Sequence, residues 1–153
     1  MARKALAGDQ LLRLDNQVCF AVYSAAHAFN RVYKPLLDRL GLTYPQYLVM
    51  LVLWERDGVP LKDIGERLFL DSGTLTPLLK RLEAAGLLKR NRSSEDERQV
   101  KITLTAQGQA LKEKARSVPL SILDASSCSV AELSDVKNEI VALRDRLNAA
   151  VGE

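Results

Sequence analysis

The chain has 153 residues, 47% of them apolar and 27% charged, which suits one folded domain with a real core and excludes a disordered tail. Its longest unbroken apolar run, Leu48–Trp54, is far short of the roughly 20 residues a membrane span needs, and Met1–Gln10 carries Arg3, Lys4 and Asp9 without an apolar h-region. Two cysteines and a formal charge of +3 fit neither a disulfide-stapled secreted scaffold nor a strongly basic tail, so the expected compartment is the cytoplasm, with both thiols reduced.

Leu14, Val18, Val22, Ala25, Phe29, Val32, Leu36 and Leu40 recur at three- and four-residue steps and predict one long amphipathic helix, which Pro35 should kink or shorten. Pro45 suits the first turn of a second helix running to about Trp54, apolar nearly all round and therefore expected to be buried. Asp57–Gly58 reads as a turn, and Leu61, Ile64 and Leu68 as one face of a short helix. The next helix is expected to start at an Asp71 or Ser72 cap and to end at Gly86, with Leu75, Leu78, Leu79 and Leu82 as its buried stripe. Its other face holds Gly73, Thr76, Pro77, Lys80 and Ala84, flanked by Thr74 and Arg81: a poor core face, but one that allows close approach to a DNA groove.

Two short helices joined by a tight turn match a helix-turn-helix, whose second helix enters the major groove. Leu87–Arg90 and the alternating Val100–Leu104 read as two strands around a polar loop, Asn91–Arg98, which together make a wing. Thr105 should cap a helix reaching Val118, with Pro119 marking a break, and Ser129 with Glu132 forms a capping box that opens the last helix. The narrow seam of that helix, Leu133, Val136, Ile140, Leu143 and Leu147, suits packing against another helix, either in its own domain or across a dimer. The expected fold is mainly α with a small β-wing, a single domain over residues 1–153. Its winged helix-turn-helix, about 60–104, is flanked by dimerisation helices at about 10–40 and 105–150.

Charge follows the same map. Between Lys80 and Lys101 seven basic residues stand against four acidic ones, so this segment carries the whole net excess. Alone, that is better read as a solvated face; beside a helix-turn-helix it becomes a nucleic-acid footprint. His27 is the only histidine and no Gly-rich phosphate loop is present, so no metal site, no cofactor and no enzymatic activity are expected.

Leu61–Leu88, Asp96-Glu97-Arg98 and Val100–Thr105 together resemble the MarR family of bacterial winged-helix transcription regulators. Asp71-Ser72-Gly73-Thr74-Leu75-Thr76-Pro77-Leu78-Leu79-Lys80-Arg81-Leu82-Glu83 is similar to the recognition helix of one subfamily, the organic hydroperoxide resistance regulators (OhrR). That subfamily carries a peroxide-sensing cysteine on its first helix and two tyrosines that bond to it, and here Cys19, Tyr33 and Tyr44 stand at matching spacings of 14 and 25. Cys128 matches the resolving cysteine of the two-cysteine type.

The resemblance implies a homodimeric repressor on a pseudo-palindromic double-stranded operator, induced by an organic hydroperoxide. Cys19 would be oxidised, pair with Cys128 of the partner subunit, and release the DNA. It further implies Ser72, Thr74, Thr76 and Lys80 in the major groove, Arg98 of the wing in the minor groove with Asp96 shaping the loop, and Arg90 on phosphates. Without it, Cys19 is better read as a small core hydrophobe, Tyr33 and Tyr44 as core rings, and Cys128 as an idle thiol. Rival functions are a MarR-type repressor that senses a small phenolic ligand, a thiol peroxidase, and a DNA-binding protein without sequence preference.

Overall fold

The computed structural model describes residues 8–152. Two short 3-10 turns, Gly8–Leu12 and Leu14–Asn16, lead into α1 (Val18–Asp38) and α2 (Tyr44–Glu55). There follow β1 (Val59–Pro60), α3 (Leu61–Leu68), α4 (Ser72–Ala84), β2 (Leu88–Arg92) and β3 (Val100–Leu104). The chain closes with α5 (Ala106–Ala115), α6 (Ser117–Ser126) and α7 (Val130–Ala150). The architecture is mostly helical with a small antiparallel wing, as the apolar periodicity predicts. Among the described residues no helix is long and apolar enough to cross a membrane.

α2 is the central rod. Thr43 and Gln46 cap it reciprocally, and Tyr47, Val49, Met50, Val52, Leu53 and Trp54 are buried. The α4 stripe packs on it as expected: Leu75, Leu79 and Leu82 are fully buried and Leu78 nearly so, each contributing about 1.5–3 kcal/mol of burial. Trp54 donates its indole N–H to the Gly108 carbonyl at 3.0 Å, which fastens α5 to α2. Asp57 accepts from Gly58 N–H at 2.9 Å and Leu104 N–H at 2.8 Å, tying the α2–β1 turn to the wing.

Several expectations are corrected. The long helix begins at Val18, because Leu14 belongs to a 3-10 turn. Pro35 neither breaks nor shortens α1, which continues to Asp38; Pro35 and Arg31, whose carbonyl loses a donor, are both exposed, so water can replace the missing bond. The sheet has three strands in the order β1-β3-β2, with Val59 opposite Ile102 and Arg90 also opposite Ile102 on the other side. Its first strand was not foreseen: it is two residues long and places Pro60 on a sheet edge. β2 runs on to Arg92, into the expected loop. Pro119 does not end a helix; α5 stops at Ala115 and Pro119 lies in the first turn of α6, where a missing N–H costs no helical bond.

The outer helices are bare. No residue of α7 is buried, and Val18, Phe20, Val22 and Phe29 of α1 and Val136 and Ile140 of α7 are exposed. Large apolar side chains left exposed along two helices mark an interaction surface.

Candidate nucleic-acid interface and thiol site

Asp71 caps α4 by accepting from Thr74 N–H at 2.8 Å, which fixes where the helix begins. At the start and along the outer side of α4, Ser72, Thr74 and Lys80 are exposed and Thr76 is half-buried. Lys80 makes no ion pair among the described residues. The face is polar, small at its start and cationic farther on, and it projects beside the wing.

In the wing, the Asp96 carboxylate accepts from Arg98 N–H at 3.0 Å and its carbonyl accepts from Gln99 N–H at 2.9 Å. Arg92 reaches across to the Glu97 carbonyl at 2.8 Å. Asp96 therefore shapes the loop, while Arg98 stays exposed at its tip.

Arg90 is placed differently from the sequence expectation. Its backbone N–H donates to Glu83 at 2.9 Å, and its guanidinium makes two further bonds of 3.3 Å to the same carboxylate. The Arg90 backbone bond is the main reason the Glu83 carboxyl is held below its usual range. Half-buried and committed to Glu83, Arg90 braces the wing against the end of α4 and is not a free phosphate contact.

Cys19 sits in the first turn of α1. It is exposed, so the buried-core reading fails for the single chain. Tyr33 and Tyr44 do meet, with ring centroids 4.9 Å apart, and buried Tyr47 completes a three-ring cluster at 5.9 and 6.4 Å. Burial, with Tyr44 and Tyr47 adding to it, pushes the Tyr33 phenol up to about 12, and burial raises Tyr44 as well. Both phenols therefore remain hydrogen-bond donors at neutral pH.

They are not donors to Cys19 of their own chain. Fourteen residues along a continuous helix put Tyr33 about 21 Å from Cys19 at 1.5 Å per residue. Cys128 is half-buried after α6, where its N–H donates to Ser126 Oγ at 3.2 Å and its thiol to the Ser126 carbonyl at 3.4 Å. Ser126, Ile122 and Ala125 line an apolar groove of about 220 Å³ with Ala25, Phe29 and Val32 of α1. That groove borders α1 from Ala25 to Val32, and Cys128 lies two residues beyond its last α6 residue, Ser126. A disulfide needs Cα atoms within about 7 Å, and both thiols of the chain are free in this arrangement.

The sequence reading passed over Tyr23. It stands one turn after Cys19 on α1, exposed, with its ring 4.3 Å from that of His27. The i, i+4 spacing from Cys19 was the available signal. Among the described residues no group of three His, Cys, Asp or Glu side chains could hold a metal ion.

Residues 31–115 match the family model described as transcriptional regulator SarA/Rot. The regulator TtmR of Methylorubrum extorquens is 53% identical over 144 residues, 94% of this chain and 74% of that protein. The organic hydroperoxide resistance transcriptional regulator of Bacillus subtilis is 49% identical over 137 residues, 90% of this chain and 93% of that one. Among solved structures, reduced AbfR bound to DNA superposes with a TM-score of 0.76 at 40% identity, over 94% of this chain and 99% of that one. AbfR, a protein of Staphylococcus epidermidis, in its disulfide-formed state superposes with a TM-score of 0.62 at 41% identity, over 88% and 95%. The chain belongs to the MarR/SarA-type family of winged-helix transcriptional regulators, which includes the organic hydroperoxide resistance regulators.

Proposed function

We propose that the chain is a cytoplasmic, redox-sensing repressor that binds double-stranded operator DNA as a homodimer and lets go when an organic hydroperoxide oxidises Cys19. The observation that carries this reading is the placement of Cys19: exposed, among uncovered apolar side chains, and about 21 Å along α1 from the tyrosine that would serve it. Such a site is completed by a second copy packed on α1, α6 and α7, which brings the partner's Tyr33, Tyr44 and Cys128 to Cys19.

The chemistry balances in two steps. The Cys19 thiolate attacks one oxygen of the O–O bond; that bond breaks, the sulfur is oxidised to a sulfenic acid, and the hydroperoxide leaves as its alcohol after taking a proton. The thiol of the partner's Cys128 then attacks the Cys19 sulfur, an S–S bond forms, the S–O bond breaks, and water leaves. The neutral phenols of Tyr33 and Tyr44 donate hydrogen bonds to the thiolate before the first step.

On DNA, Ser72, Thr74, Thr76 and Lys80 face the major groove and Arg98 the minor groove, with the two recognition helices one DNA turn apart, about 34–36 Å. Disulfide closure moves the helices that set this spacing. The relatives support the reading: one is named for organic hydroperoxide resistance, and AbfR exists both reduced on DNA and disulfide-formed.

The test is binding of the reduced protein to its own upstream promoter DNA, before and after one equivalent of organic hydroperoxide, with non-reducing gels alongside. Loss of binding with a crosslinked dimer, abolished by Cys19→Ser and by Cys128→Ser, is the expected result. Release that survives Cys128→Ser removes the second thiol from the mechanism. Binding that ignores peroxide overturns the redox reading in favour of a small-ligand regulator.

A further inference from the structure

The turn between α3 and α4 holds a residue that its local conformation does not ask for. Phe69 closes α3 with φ +57° and ψ +38°, a left-handed conformation that L side chains adopt at a cost and that a helix-turn-helix turn commonly gives to glycine. Burial does not offset that cost, because Phe69 is 60% exposed. What the ring does have is a partner: the Arg144 guanidinium of α7 lies over its face, 4.5 Å from the centroid. Asp145 holds that guanidinium in place through bonds of 3.0 and 2.9 Å to Nε and Nη2.

The two ends of this contact lie on the two functional parts of the protein. α7 is capped by Ser129, directly after Cys128, and runs unbroken for 21 residues from Val130. Arg144 is 16 residues past Cys128, about 24 Å along a stiff helix. Phe69 is two residues before Asp71, the cap of the recognition helix. The turn between them is tight, since Gly65 O accepts Leu70 N–H at 3.0 Å and a Cβ on Gly65 would meet the Leu70 carbonyl at 2.8 Å. A cleft of about 580 Å³, lined by Leu61, Gly65, Glu66, Phe69, Asp71 and Ser72, opens beside the ring and leaves the turn room to shift.

We propose that Phe69 and Arg144 are a positioning pair through which α7, anchored beside Cys128, sets the start of the recognition helix, so that closing the disulfide is felt at α4. The inference rests on the redox-sensing reading above. A displacement of the α6–α7 junction is carried by α7 as a lever to Arg144, by the cation–π contact to Phe69, and by the short turn to Asp71 and the first residues of α4.

The experiment compares promoter affinity of the reduced and the disulfide forms of the full-length protein, with crosslinking read on non-reducing gels. The variants are Phe69→Gly, Arg144→Ala, the double substitution, and the conservative Phe69→Tyr and Arg144→Lys. Phe69→Gly suits the left-handed turn and should fold; Arg144→Ala, on an exposed helix, is a second route to the same loss. The expected result is that Phe69→Gly and Arg144→Ala crosslink like the wild type while the reduced-to-disulfide affinity ratio falls about two- to fivefold, the range of an exposed cation–π contact. The double variant should lose no more than either single one, and Phe69→Tyr and Arg144→Lys should keep the ratio. Unchanged ratios in crosslinked Phe69→Gly and Arg144→Ala overturn the lever alone. A wild type that does not crosslink overturns the disulfide and the lever with it, and one whose affinity ignores peroxide overturns the sensing reading as well.

Discussion

Replacing Lys80 with alanine separates a DNA contact from a structural brace, because α4 leaves Lys80 open to solvent while the wing ties Arg90 to Glu83. Lys80 is exposed on the polar face of α4 without an ion pair among the described residues, whereas Arg90 is committed to Glu83 through three bonds. A cation that neutralises one phosphate of duplex DNA adds about 0.9 to the slope of log K against log salt, so two copies in a dimer add about 1.8. Between 50 and 200 mM salt, a slope difference of about 1.8 makes the wild type lose about 12-fold more affinity than Lys80→Ala. Arg90→Ala should weaken binding by loosening the wing while leaving the slope as it was. Fluorescence anisotropy titrations of promoter DNA at several salt concentrations measure both quantities. An unchanged slope in Lys80→Ala, or a slope lowered by about 1.8 in Arg90→Ala, would refute the assignment of the two roles.

Gly108→Ala should cost about 3 kcal/mol, because the new Cβ runs into the Leu87 backbone carbonyl and the Gly108 carbonyl that anchors Trp54 must shift; thermal unfolding followed by Trp54 fluorescence reads the loss. Tyr33 titrates late, at about 12, so the folded chain holds protons that the unfolded chain has already lost. Stability should therefore be intact below pH 10 and fall as the pH rises toward 12, an effect that Tyr33→Phe should reduce in alkaline denaturant titrations. On the acid side, Glu83 and Glu132 have lowered carboxyl pKa values because backbone N–H groups of Arg90 and Ser129 donate to them. Their contribution is present above the ordinary carboxylate pKa of 4.5 and should fade as the pH falls through the lowered values, which Glu83→Gln should blunt in acid-unfolding curves.

The helix-turn-helix and wing were legible because they are written in local periods: Leu75, Leu78, Leu79 and Leu82 at helical steps, Val100, Ile102 and Leu104 at strand steps, and Ser129 with Glu132 as a cap. What was not legible is non-local or too short to have a period. β1 spans two residues, one of them proline, and exists only because β3 offers it a partner. Glu83 and Arg90 meet across a helix end and a strand, and no repeat connects them. Phe69 and Arg144 lie 75 residues apart and meet only because α7 returns to the turn. Pro119 misled because a proline that stops one helix and a proline in the first turn of the next look alike in sequence. The spacing from Cys19 to Tyr33, by contrast, already contained its own distance once the helix between them was known to be continuous.

That distance constrains how two copies meet under the proposed function. If Cys19 faces the partner's Tyr33 across two antiparallel α1 helices, the two-fold axis crosses α1 near position 26, the mean of 19 and 33. Ala25, Ala26 and Ala28 stand there, small enough for close approach of the helices, with exposed Val22 and Phe29 on either side. The same operation serves the remaining residues. Tyr44 follows because its ring touches that of Tyr33. The partner's Cys128 is carried along because Ser126, to which each Cys128 is bonded, lines the groove that borders Ala25–Val32 of its own α1. One arrangement of two chains thus supplies the donors for the thiolate, which are out of reach in one chain, and a second thiol to resolve it. Oxidation at Cys19 then acts across the interface by necessity, and the distance between the two recognition helices is a property of that interface.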